Sequence, residues 1–204
     1  FARDLGPLAL SVRTAFFQTK VDRDLLFSQT AGRNVLSGGT TRVGSASAAR
    51  VTGSFFDVAA NLTYVRATFD DTGLLIPYVP DWVFRFDGSL FGELPVDKLR
   101  IRGKAFRGTL AAGATYVSPR PLPYGERSNP IAVFDLHATL GFWLFDVGLV
   151  ATNLFDAQYR LGEYNYASDF RSQQLPTLVP MRHFSAGAPR QLFFTLAVNL
   201  GGDK

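Results

Sequence analysis

From Leu192 to Leu200 every second residue is a large apolar one, and the positions between them hold Phe193, Thr195, Ala197 and Asn199. The same period-two split recurs along the chain. Over 131–144 the apolar phase is Ala132, Phe134, Leu136, Ala138, Leu140, Phe142 and Leu144, against Asp135, His137 and Thr139. Over 82–91 it is Trp82, Phe84, Phe86, Gly88 and Leu90 against Arg85, Asp87 and Ser89, and over 56–64 it is Phe56, Val58, Ala60, Leu62 and Tyr64 against Asp57, Asn61 and Thr63. Phe106 to Tyr116 follows on even numbers and Phe145 to Asn153 on odd ones. Across these segments the apolar phase carries no charged residue, where about six would be expected from a chain that is 19% charged. Helix-period stripes are absent, so the alternation predicts antiparallel sheet with one dry face. Three less regular segments, Pro7 to Thr19, Asp22 to Gln29 and Thr40 to Thr52, bring the expectation to about nine strands.

The intervals between these strands alternate in length. They are short at Lys20 to Asp22, longer at Thr30 to Gly39, short at Gly53 to Phe55, long at Phe69 to Asp81, fairly short at 92–98, long at 118–130, minimal at Leu144 to Asp146 and very long at Ala157 to Ala188. Short turns on one side and long loops on the other are the signature of a transmembrane barrel. Several runs also reach the nine to eleven residues that a tilted membrane strand needs. Tyr64, Trp82 and Tyr116 fall at matching heights as one rim of an aromatic girdle, with Phe56 and Phe145 candidates for the other. From Phe56 to Tyr64 is roughly 26 Å along the strand, or about 20 Å of height after tilting. A soluble all-β sandwich with a Phe-rich core is the alternative.

Composition narrows the function classes. The chain has 19 Phe, 7 Tyr, 2 Trp and no Cys, which excludes a disulfide scaffold and a thiolate metal site. Its net charge of +4 is spread along the chain without a basic stripe, so nucleic acid is not an expected partner. No run of about 18 uncharged apolar residues occurs, because 131–155 is interrupted by Asp135, His137 and Asp146. The opening FARDLGPLAL lacks an initiator Met and a signal pattern, and reads as the middle of a protein.

Two C-terminal motifs, VGLVATNLFDAQY (147–159) and SAGAPRQLFFTLAVNL (185–200), resemble the end of TonB-dependent outer-membrane receptors. In that family an Asn-Leu-Phe-Asp/Asn and Tyr motif precedes the last extracellular loop, and Gly-x-Pro-Arg opens the final strand. TAFFQTKVDRDLLF (14–27), PYVPDWVFRFDGSL (77–90) and VFDLHATLGF (133–142) are weaker echoes. A departure follows Gly44, where Ser45 and Ala46 stand in place of a small hydrophobic residue and Glu. The resemblance implies a twenty-two-stranded barrel closed by an N-terminal plug. Residues 1–204 would be the C-terminal portion of its wall, without a plug domain, in the bacterial outer membrane. The partners it implies are membrane lipid, the remaining barrel strands and plug, the TonB complex acting through the plug, and a scarce small-molecule ligand. A ferric siderophore is the commonest such ligand.

Candidate chemistry follows from this frame. The lumen phase would carry Asp57, Arg85, Asp87, Arg107, Asp135, Asp146 and His137 as a network of ion pairs and hydrogen bonds. Ligand contacts are expected on the long loops. There Arg120, Tyr124 and Arg127, with Tyr164, Tyr166, Arg171, Arg182 and His183, suit an anionic, aromatic or catecholate-like ligand. No cofactor, metal site or catalytic residue is expected, since the chain has only two His. A barrel that anchors a larger complex without transport is one alternative, and a hydrolase with a Ser and His pair at the rim is another.

Overall fold

The computed structural model describes residues 2–28, 31–94, 105–169, 171 and 177–200. Among these the strands are β1 (Ala2–Leu5), β2 (Leu8–Val21), β3 (Leu25–Ser28), β4 (Arg33–Leu36), β5 (Thr40–Thr52), β6 (Phe56–Phe69), β7 (Trp82–Glu93), β8 (Arg107–Val117), β9 (Ile131–Phe142), β10 (Phe145–Thr152), β11 (Arg160–Ala167), β12 (Pro180–Ala186) and β13 (Gln191–Val198). The main sheet has nine strands in the order β1-β2-β5-β6-β7-β8-β9-β10-β13, every pair antiparallel. Two hairpins, β3–β4 and β11–β12, form separate two-stranded sheets within long connections. Among the described residues no helix is long and apolar enough to cross a membrane, which says nothing of strands.

One expected strand is corrected. The expected strand at Asp22 to Gln29 does not form in the main sheet: among the described residues Leu25–Ser28 pairs only with Arg33–Leu36, and Gln29 lies outside them. The cause is the reach of β2. It continues to Val21, pairing with β5 up to Val21 opposite Thr40, so β5 already occupies the edge that a strand at 22–29 would need. Asp24 then anchors the segment that turns away, accepting hydrogen bonds from Thr40 Oγ1 at 2.9 Å and Arg42 Nη2 at 2.5 Å. The contact with Arg42 holds the Asp24 carboxyl below its ordinary value, with Thr40 adding to the effect. The short turn expected at Lys20 to Asp22 is therefore the start of one long connection, 22–39. A short turn at Gly6 and Pro7 instead joins β2 to β1, with Gly6 at φ 70°. The alternation of short and long connections survives, and β2 runs in the opposite sense to the one the sequence suggests.

Cross-strand register puts each apolar phase on a single face. Phe56, Leu90, Leu110, Ala138, Leu149 and Phe194 are successive partners across six strands. Tyr64 stands opposite Trp82 with ring centroids 4.5 Å apart, and Tyr116 stands opposite Phe84. At the short-turn end Phe106, Phe142 and Phe145 form a chain of ring contacts at 5.6 Å each. This face is exposed: Phe16 at 83%, Phe194 at 77% and Leu196 at 68%. A sandwich would cover it with a second sheet, and among the described residues nothing does.

The opposite face is polar. Arg50 of β5 grips the Asp57 carboxylate from the neighbouring strand through Nε and Nη2. Arg85 hydrogen-bonds Asp87 and Thr115, and its Nη1 lies 3.5 Å from Asp135. The intervening position is Gly113, partner of both Asp87 and Asp135. A Cβ there would meet Arg85 Nη2 at 2.5 Å, so the missing side chain is what lets the guanidinium lie across three strands.

We expect Gly113→Leu to displace Arg85 and destabilise the fold by about 1–3 kcal/mol. Ala112→Leu, one residue away on the apolar face, should change stability by less than about 0.5 kcal/mol. Urea unfolding midpoints of the two variants check the contrast.

Candidate functional site

The packed interior of this protein is at one end of the sheet, where the long connections 22–39, 70–81, 118–130 and 153–190 gather. Ile76, Leu122, Ile131, Asn153, Glu163 and Asn165 are all buried there. Backbone hydrogen bonds tie the loops to the strands and to one another: Ile76 N–H to Ala67 O, and Tyr78 N–H to Pro121 O. Ser118 Oγ accepts from Trp82 N–H at 3.0 Å, joining the third loop to the start of β7.

The last connection is latched at its base by the two motifs that carry the family resemblance. Asn153, buried and at φ 49°, accepts from Ala157 N–H and donates through Nδ2 to Ala157 O and Ala188 O. Its own amide donates to Asp135 Oδ1 at 3.0 Å. Asp156 Oδ1 accepts from Arg190 N–H, and the Tyr159 hydroxyl accepts from Ala188 N–H. The Tyr159 ring lies against Gly187, where a Cβ would overlap it. Asn-Leu-Phe-Asp and Gly-x-Pro-Arg are thus two halves of one clasp that fixes where β10 ends and β13 begins. Phe155 of the same motif packs edge-on to Phe134 at 5.4 Å, on the apolar side.

Glu163 on β11 is the hub between the third and fourth loops. Its side chain has no solvent exposure, and it receives Asn129 N–H at 2.8 Å, Arg160 Nη1 at 2.7 Å and Arg182 Nη1 at 3.3 Å. Arg182 also bonds Glu126 at 2.8 Å, and Asn165 Nδ2 donates to Pro123 O at 3.0 Å. Burial acts to raise the Glu163 pKa, but the Asn129 amide and the two guanidinium groups outweigh it and hold the carboxyl below its ordinary value.

Between the loops lies a cavity of about 540 Å³, within the size range of small-molecule sites. Leu26, Phe27, Ser28, Val35 and Ser37 of the first loop line it, with Phe69, Ile76, Pro77, Tyr78, Pro123 and Tyr164. No charged residue is among them. The rings of Tyr78 and Tyr164 are 5.4 Å apart, and the Tyr78 hydroxyl is buried beside the Asn165 backbone. Burial raises the Tyr78 pKa, helped by Tyr164, while the Asn165 backbone amide opposes the shift. A second cavity of about 380 Å³ adjoins it across Phe69, Pro77 and Pro123, and Tyr124, Glu126 and Arg127 line its far side.

The residues singled out from sequence divide accordingly. Tyr164 lines the larger cavity, and Tyr124 and Arg127 line the smaller. Arg127 Nη1 is 4.0 Å from Asp81. Tyr166 stacks on His183 at 4.0 Å, and Ser168 Oγ is 3.1 Å from His183 Nε2. Arg120 donates to Leu161 O at 3.4 Å, Arg182 holds two glutamates, and Arg171 pairs with Asp169 on an exposed turn. These three arginines join loop to loop or close a turn. On the main sheet Asp57, Arg85, Asp87, Arg107, Asp135, Asp146 and His137 share the polar face by register, with His137 between Ala111 and Val150 and Arg107 opposite Glu93 and Gly141. Asp146 Oδ2 accepts from Asn199 Nδ2 at 2.7 Å.

Sequence reasoning missed Glu163, Phe27 and Tyr78. A lone Glu in a long loop carries no signal, and Phe27 was assigned to a strand of the main sheet. Tyr78 lies between two prolines in PYVP and takes φ 70°, a turn signal that could have marked it as structured.

No model of a known protein family matches the sequence, and no curated protein matches it. In three dimensions the chain is similar to the ferric yersiniabactin uptake receptor FyuA of Yersinia pestis, with a TM-score of 0.50 and 15% sequence identity. The match covers 97% of this chain and 36% of that one, so the chain spans about a third of the receptor's length. At this identity the likeness is one of fold: an all-β antiparallel sheet resembling part of a barrel.

The Glu163 hub gives a pH signature. Its folded pKa is lowered, so its contribution to loop order is complete above the ordinary carboxyl value and is lost as the pH falls below it. We expect amide exchange over 118–130 and 160–167 to quicken as the pH is taken below about 4, beyond the intrinsic change in exchange rate. Glu163→Gln should quicken it already at pH 7. Unchanged protection in that variant would show that the hub does not hold the loops.

Proposed function

We propose that this chain is part of the wall of an outer-membrane receptor that captures a scarce small molecule outside the cell and passes it inward. The observation that carries this reading is an inversion of the usual arrangement. The sheet leaves its apolar face exposed, while most buried residues lie in or beside the long loops at one end, around a cavity with no charged residue in its lining. Lipid against the apolar face accounts for the first feature, and a ligand site held above the polar face accounts for the second. The two edge strands, β1 and β13, would be costly in lipid unless further strands pair with them, so the proposal includes such strands, from the same protein or a companion chain, completing a barrel of about twenty-two strands by the family resemblance. A plug that TonB engages would supply the driving force.

A ferric siderophore is the ligand class this reading favours, supported by the resemblance and by the fold likeness to a siderophore receptor. The cavity refines the expectation. Phe27, Tyr78 and Tyr164 suit an uncharged aromatic or heterocyclic portion, held by stacking. The anionic or metal-bearing portion would extend toward Arg127 in the adjoining cavity.

A different observation supports a second reading. Ser168 and His183 are close enough for the His to act as base to the Ser, as a hydrolase would need. Hydrolysis of p-nitrophenyl butyrate that Ser168→Ala abolishes would support it, and activity equal in both proteins would remove it.

Growth and iron uptake under iron limitation test the receptor reading. Combining Tyr78→Ala with Tyr164→Ala should raise the half-saturating concentration of the imported chelate about tenfold, the loss of two ring contacts. Uptake undiminished by these changes, and by deletion of 157–188, would favour a barrel that anchors a larger complex and transports nothing.

A further inference from the structure

The charged residues on the apolar face are of one sign. Among the described strand residues of that face they are Arg3, Lys20 and Arg66, and no acid shares it. Two of these cations belong to one corner at the long-loop end. Gln18, Val43 and Arg66 are successive partners across β2, β5 and β6, and Lys20, Thr41 and Thr68 are the next row outward. Arg66 is two residues beyond Tyr64, whose ring pairs with Trp82, which puts it about 7 Å along the strand above the aromatic rim.

No acid among the described residues pairs with this Arg. It is exposed and makes no ion pair or hydrogen bond among the described residues. Lys20 is 64% exposed and touches Asp70 at 3.8 Å, a loose contact that leaves most of its donors unused. Asp70 is itself engaged by Thr41 Oγ1 at 2.6 Å. The cations lie two strands and one row apart, about 12 Å between backbones, so two side chains of about 6 Å can reach the same anion.

Resting on the reading that the apolar face meets lipid, we propose that Gln18, Lys20 and Arg66 form a binding site for the phosphate of an outer-leaflet glycolipid headgroup. Its acyl chains lie down the apolar face beside Phe16 and Leu62. The Arg66 guanidinium donates to two phosphate oxygens, Lys20 supplies a second positive charge, and Gln18 Nε2 supplies a neutral donor. The site is at the level where apolar surface gives way to polar loops, so headgroup and chains are matched by one strip of sheet.

The test is native mass spectrometry of the intact outer-membrane protein in mild detergent, with lipid A and with enzymatically dephosphorylated lipid A. The parent protein should retain lipid A at least tenfold better than the dephosphorylated form. The Lys20→Gln, Arg66→Gln pair should lose that preference, and Arg3→Gln, at the other end of the face, should keep it. Equal retention of the two lipids by the parent overturns the proposal without needing any variant, and so does an undiminished preference in the double variant. If the protein fractionates into the membrane yet shows no phosphate preference, the site falls and the receptor reading stands. Recovery of the parent as a soluble protein sinks both.

Discussion

Everything in this structure depends on pairing every strand with its neighbour while keeping one face of the sheet apolar. A strand has a side-chain period of two, so a slip of one residue would carry its whole apolar set to the other face. The register avoids this across each junction of the main sheet, from β1 against β2 to β10 against β13. Once the pairing is set, the faces differ in kind. One is dominated by Leu, Phe, Val and Ala from β6 to β13, with aromatic rings at both ends and small polar and cationic residues toward β2 and β5, and the other carries crossed ion pairs such as Arg50 with Asp57 and Arg85 with Asp87 and Asp135.

Because the sheet buries neither face against another layer, its packing energy cannot come from a central core. The loops supply the compact part. The Asn153 and Gly187 clasp fixes the mouth of the last connection, the Glu163 hub joins it to the third, and Asp24 ties the first to β5. Such junctions need buried polar groups, and each is matched by a partner: Glu163 by an amide and two guanidinium groups, Asn153 by three backbone groups.

Most of the sheet was legible in the sequence because period-two alternation is a local signal. The segments at 56–64, 82–91, 106–116, 131–144, 145–153 and 192–200 each hold enough alternate positions to fix their phase. Asp22 to Gln29 misled because Leu25 to Phe27 is apolar and extended in both interpretations. What separates a short hairpin from a membrane strand there is the competing edge of β5, a non-local fact. The interior of the loops was hidden for the same reason. Arg120, Arg171 and Arg182 were expected on the long loops as ligand contacts, and their partners Leu161, Asp169, Glu126 and Glu163 are set by tertiary contact that the sequence does not display. The two C-terminal motifs were visible as motifs, and their role as a clasp required the fold.

The central claim is that the exposed apolar face meets lipid. Residues 1–204 contain no Cys, so once any Cys elsewhere in the intact protein is replaced, single cysteines at successive positions from Leu192 to Val198 can be spin-labelled in its native membrane. Collision rates with oxygen, which concentrates in lipid, and with a water-soluble nickel chelate then report the surroundings of each site. The account predicts oxygen maxima at positions 192, 194, 196 and 198 and nickel maxima at 193, 195 and 197. A flat profile, or maxima in the opposite phase, would contradict it.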